Sequence, residues 1–134
     1  ASEKQQILKG VDTKEQNAVE QLITAYNNIG KADSLKYVVY KNQIIQLQNS
    51  AQNIGNNKSI AKQYASEAEF YFTEANRIRQ KAKNTSDKTQ KTEELKRAVD
   101  FEKKALSSQD FAVDVLTEVN PVFFVSTNDP AVSR

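Results

Sequence analysis

Apolar residues recur at steps of three and four along most of this chain, and three glycines, Gly10, Gly30 and Gly55, punctuate the recurrence. Such stepping lays side chains along one face of an α-helix. Leu8, Val11, Ala18, Leu22, Ala25 and Ile29 form the first stripe, widened by Ile7, Val19, Ile23 and Tyr26. The stripe passes through Gly10 without a break and predicts one helix over 3–29. A later start at Asp12 is the alternative, because Asp12-Thr13-Lys14-Glu15 can form a capping box. Gly30 follows "AYNNI" and Gly55 follows "SAQNI". Both stand where a helix C-cap calls for a left-handed residue, and Asn or Asp suited to an N-cap comes soon after each. The chain should therefore turn at both.

Three further helices follow from the same reading. Leu35, Val38, Val39, Ile44, Ile45, Leu47, Ala51 and Ile54 predict a helix over 33–54, although "YVVY" within it has strand-like residues. Ala61, Ala65, Ala68, Phe72, Ala75, Arg79 and Ala82 alternate steps of four and three and predict a helix over 58–83. Its seam is mostly alanine, which lets two helix axes approach closely, with Ile60, Tyr64, Tyr71 and Ile78 in a row beside it. Leu95, Ala98, Glu102, Ala105, Gln109, Ala112, Leu116 and Val119 continue the stepping over 88–119. Glu102 and Gln109 fall on that seam, so it is either partly exposed or bridged by polar contacts. Short links between long helices favour antiparallel neighbours. The expected architecture is all-α: an antiparallel up-down bundle of four long helices over 1–119, with an extended tail over 120–134 that leads to a further domain or folds back.

A short stretch, Ala68-x-x-x-Phe72-x-x-Ala75, resembles the second helix of a tetratricopeptide repeat. It covers eight residues, and the Trp, Leu-Gly and Tyr of that repeat's first helix and its closing proline have no counterpart in the neighbouring sequence. What the resemblance implies is an alternative, an open TPR-like array of helical hairpins that binds another protein.

Composition narrows the chemistry. The 134 residues include no Cys, His, Met or Trp, and the net charge is +2. Without His or Cys there is no Ser-His-Asp triad, no Cys-His pair and no zinc site of the usual ligands. Three isolated glycines build no phosphate loop. Carboxylate pairs remain for acid–base work, but Glu67 and Glu69 point to different helix faces, and Glu93 and Glu94 suit a helix start. No cofactor or metal is expected, and no enzyme. Twelve Asn and twelve Gln make the surface as much amide as charge. No apolar run approaches the roughly 18 residues of a membrane span. The chain begins at Ala1 rather than Met; signal-peptide removal would place it outside the cytoplasm, and cleavage from a longer chain or ordinary Met excision would give the same start.

Two groups of residues stand out as contact candidates. Phe70-Tyr71-Phe72 cannot all face one core, so Phe70 falls off the stripe, as Phe101 does on the last helix. The tail after Pro121 carries Val122-Phe123-Phe124-Val125, strand-like residues with no helical company. The densest charge is "RIRQKAKNTSDKTQK", in which Arg77, Arg79, Lys81 and Lys83 offset a helix C-terminus or meet an acidic partner. No aromatic interleaves it, which argues against single-stranded nucleic acid. The expectation is a non-catalytic protein–protein interaction or scaffold module, alone or as one domain of a larger assembly protein. Phe70, Phe101, Phe123, Phe124, Arg77, Arg79, Lys81 and Lys83 would serve a partner that is another protein or another domain of the same chain. The alternative is a small-ligand or lipid-binding bundle with a cavity among Ala65, Ala68, Ala75, Ala98 and Ala105.

Overall fold

A computed structural model describes residues 2–50 and 55–118, with side chains from Lys14 onward. It contains three α-helices: α1 Ser2–Gln48, α2 Asn56–Lys83 and α3 Lys88–Thr117. The all-α class is as expected, and the helix count is not. The two N-terminal helices expected over 3–29 and 33–54 are one helix, and "YVVY" lies inside it. Ile54, Val119 and the tail with Phe123 and Phe124 lie outside the described residues.

The reason α1 does not turn at Gly30 is visible in its buried face. Val19, Ile23, Tyr26, Gly30, Asp33, Tyr37, Tyr40, Ile44 and Leu47 are among its less exposed positions. They step by four and three without interruption, so a single heptad seam crosses the glycine. Gly30 keeps helical backbone and serves a packing purpose. The Arg79 guanidinium of α2 lies against it, where any Cβ would collide. A glycine inside a helix costs about 1 kcal/mol relative to alanine, and the contact with Arg79 offsets this. Gly55 does take a positive φ of 73°, but just ahead of α2, where glycine meets no steric penalty.

The same seam leaves part of the expected stripe of α1 outside the core. Leu35, Val38 and Val39 are 71%, 54% and 63% exposed, and Leu22 and Ile45 are also exposed. They were expected in the core with Ile44; the seam keeps Ile44 but turns the others outward because it carries Asp33 and Tyr37 inward instead.

α2 and α3 pack as predicted from their seams. Ala61 meets Ala112, Ala68 meets Ala105, and Ala75 meets Ala98, each pair within one buried cluster. The numbers rise along α2 as they fall along α3, so these helices are antiparallel with an alanine pair at every second turn. α1 leans mainly on α3 and touches α2 at few places. α1 and α3 run parallel, since Glu20 pairs with Lys88 and Asp33 with Lys103. The fold is a three-helix bundle, up-down-up, rather than an array of hairpins: Phe72 stacks on Tyr37 of α1 at 4.0 Å between ring centroids, while Ala68 and Ala75 face α3. α1, with 47 residues, exceeds the 30 of α3. Glu20 sits beside the first residue of α3, so the surplus lies N-terminal of the bundle.

The link between α2 and α3 is short and held at both ends. Asp87 caps α3 by accepting from Gln90 N at 3.2 Å. Thr85 donates to Glu94 Oε1 at 2.6 Å, tying the end of α2 to the first turns of α3.

Candidate interaction surface

The α2–α3 pair presents two different edges. Phe72 turns toward α1, and its neighbour Tyr71 turns to the opposite edge. There Tyr71 touches the rings on either side of it, Phe70 at 5.8 Å and Phe101 at 6.1 Å between centroids. The Lys104 ammonium lies 5.7 Å from the Tyr71 ring centroid and 5.3 Å from that of Phe101, within cation–π range. Farther along, Phe111 stacks on Tyr64 at 5.4 Å. Glu67, midway between, accepts from Ser108 at 2.8 Å. The result is an edge of five rings with a lysine over two of them. Phe70 is 62% exposed and Phe111 55%.

Two of the residues singled out in the sequence, Phe70 and Phe101, are thus brought to one surface. Tyr71 links them, and Tyr64 and Phe111 extend the row. Phe111 was overlooked because nothing marks a single phenylalanine in a helix; only its position opposite Tyr64 gives it meaning. The spacing Tyr64 to Tyr71 was visible, but which edge that row faced was not.

The basic run does not form one patch. Arg77 is exposed and bonds Glu74 of its own helix, with Nη2 to Oε2 at 2.9 Å. Lys81 lies 3.5 Å from Glu94. Lys83 is exposed near the end of α2. Arg79 turns inward: its Nε donates to Glu102 Oε2 at 2.6 Å, and its Nη2 to Glu102 Oε1 and to the Tyr26 carbonyl, each at 3.0 Å. Its role is to clamp three helices together.

Glu102 is wholly buried and Asp33 is 1% exposed. The two carboxyl groups are close enough that Asp33 raises the cost of ionising Glu102. Burial pushes the Glu102 carboxyl above the usual carboxylate range, the Arg79 guanidinium pulls it back, and Asp33 adds to the rise. Desolvation outweighs the ion pair here, as it commonly does inside a protein. Asp33 accepts from Lys103 Nζ at 2.8 Å through Oδ1, and its Oδ2 has no donor among the described residues. Gln109 belongs to the same strip, donating from Nε2 to the Tyr37 carbonyl at 3.0 Å. The polar breaks in the α3 seam are therefore cross-helix contacts, and the seam is not exposed at them.

The two carboxyl groups converge, and that of Glu102 has a raised proton affinity. The pair lacks access. Glu67–Glu69 and Glu93–Glu94, the pairs visible in sequence, do not converge in this way: Glu67 serves Ser108 and Glu94 serves Thr85. Among the described residues no three acidic side chains gather as a metal centre requires, and no helix is long and apolar enough to cross a membrane. The alanines expected around a ligand cavity are mostly filled in: Ala68, Ala75, Ala98 and Ala105 are buried in pairs, and Ala65 lines only a small groove of about 120 Å³.

Compared with protein-family models, with curated proteins and with solved structures, this chain matches none.

Proposed function

We propose that this protein is a non-catalytic protein–protein interaction module that binds through the aromatic edge of α2 and α3, alone or as one domain of a larger assembly protein. The observation that carries this reading is the ring row itself: Phe70 and Phe111 stand more than half exposed while their partners Tyr71, Phe101 and Tyr64 root them in the bundle. Rings held this way lose little conformational freedom on contact, which suits them to anchor an interface. Lys104 over the rings adds a charge that an acidic neighbour can meet. The absence of catalysis is part of the same proposal. Its support is the enclosure of Asp33 and Glu102, the one converging carboxyl pair among the described residues.

Site-specific photocrosslinking in cells tests it. A photoreactive side chain at Phe70 of the full-length protein should yield a discrete protein adduct, and the same group at Lys36 on α1 should not. Phe111→Ser should reduce the adduct by about fivefold or more, since an interface anchor is commonly worth over 1 kcal/mol. Position-independent labelling, or none, would refute the edge as a binding surface.

A further inference from the structure

A second surface lies on the other side of the molecule, independent of the aromatic edge. Where α1 passes the end of α2 above α3, the helices leave an open groove of about 750 Å³. This volume falls in the range of small-molecule sites. Its apolar wall is Leu35 and Val38 of α1 with Ala82 of α2 and Leu95 of α3. Leu35 and Val38 are the aliphatic residues that the heptad seam of α1 turns outward.

The polar lining is of one sign. Lys31, Lys83 and Lys91 line the groove together with Arg79, and no carboxylate does among the described residues. Lys31, Lys83 and Lys91 take part in none of the ion pairs among the described residues. Arg79 is committed to Glu102 and Tyr26 through Nε and Nη2, while its Nη1 has no acceptor among the described residues. Three free ammonium groups and an idle guanidinium nitrogen therefore border exposed aliphatic side chains. This is the complement of a molecule with an anionic head and an apolar body.

We propose that this groove binds a small amphipathic anion, a carboxylate or phosphate head on a hydrocarbon chain. The head sits among the lysines and the chain lies on Leu35 and Val38. A helix is a poorer occupant, because the wall from α2 runs only from Arg79 to Lys83, little more than a turn, before that helix ends. The site also differs from the cavity that the alanine seam suggested. Alanine pairs close the seam between α2 and α3, and the groove lies between α1 and the end of α2, beside the contact of Arg79 with Gly30 and Tyr26.

Decanoate is the probe, with decanol and acetate as controls that carry only the chain or only the head. Calorimetric titration of the full chain should show saturable decanoate binding, at least about tenfold tighter than either control, a difference of roughly 1.4 kcal/mol. The combined Lys31→Gln, Lys83→Gln and Lys91→Gln variant should lose at least tenfold while circular dichroism shows its helices intact. Leu35→Asn should weaken binding several-fold, and Phe70→Ser should leave it unchanged, which separates this site from the aromatic edge. Sedimentation with phosphatidylglycerol but not phosphatidylcholine vesicles, lost in the triple variant, would place the anionic head in a bilayer. Decanoate binding without such sedimentation would place it on a free ligand; either result sustains the site. No decanoate binding, equal binding of decanol, or full binding by the triple variant would overturn it.

Discussion

Glu102 shows how one side chain can hold the bundle together and still weaken it. Its carboxylate receives Arg79 in a two-point contact, yet burial and Asp33 raise its proton affinity above the ordinary value of 4.5. The folded protein then holds this proton more tightly than the unfolded chain. The associated stability is full below about pH 4.5 and is lost as pH rises through the raised folded value. Urea unfolding of the wild type and of Glu102→Gln between about pH 4 and about pH 7 should show the wild type losing ground to the variant as pH rises. A difference independent of pH would contradict the raised affinity. Gly30 is the second residue whose meaning is tertiary. Gly30→Ala gains about 1 kcal/mol of helix propensity but must push aside the guanidinium that Glu102 and Tyr26 hold, weakening charged hydrogen bonds worth about 1.5–3 kcal/mol each. The expected net effect is destabilisation by about 1 kcal/mol in the same assay, and Arg79→Ala should remove most of the penalty of the glycine change. The sequence placed Arg79 on the α2 seam without showing its partner, and there Gly30 resembled a helix end.

At the scale of elements, α2 and α3 were legible because alanine at heptad spacing has few other uses on a helix. Their shared register follows from steric fit: Ala68 and Ala105 face one another, and nothing larger would let the axes come so close. Ala105→Leu should overpack the seam and cost about 1–3 kcal/mol, measured as a lower urea midpoint. α1 gives the contrast. Val39→Thr should change stability by less than about 0.5 kcal/mol, because Val39 faces away from the bundle. A core position would lose considerably more. The aliphatic residues Leu35, Val38, Val39 and Ile45 misled because they lie off the 4–3 spacing that the buried seam follows. The steps through Tyr26, Gly30, Asp33, Tyr37, Tyr40 and Ile44 were present in the sequence, but a glycine and an aspartate are poor advertisements for a core.

For the molecule as a whole, α3 is the element on which both others rest, and this leaves two surfaces of different character. One is the aromatic edge of α2 and α3; the other is the lysine-lined groove between α1 and α2. The rings of the first were partly visible from the sequence, through Phe70 and Phe101. The second was not, because Lys31 and Leu35 stand some fifty residues from Lys83 and Lys91 and meet only in the fold.

The sequence by itself determined that the described chain is helical and that α2 carries an alanine seam, since both depend on periodicity within a segment. It also put His and Cys chemistry out of reach. Tertiary structure alone decided that Gly30 continues a helix, that Arg79 pairs with Glu102, that Asp33 and Glu102 share a dry site, and which aliphatic residues of α1 remain exposed. Each of those depends on what another helix places opposite the residue, and the free energy of a buried charge or an absent Cβ is set by that neighbour.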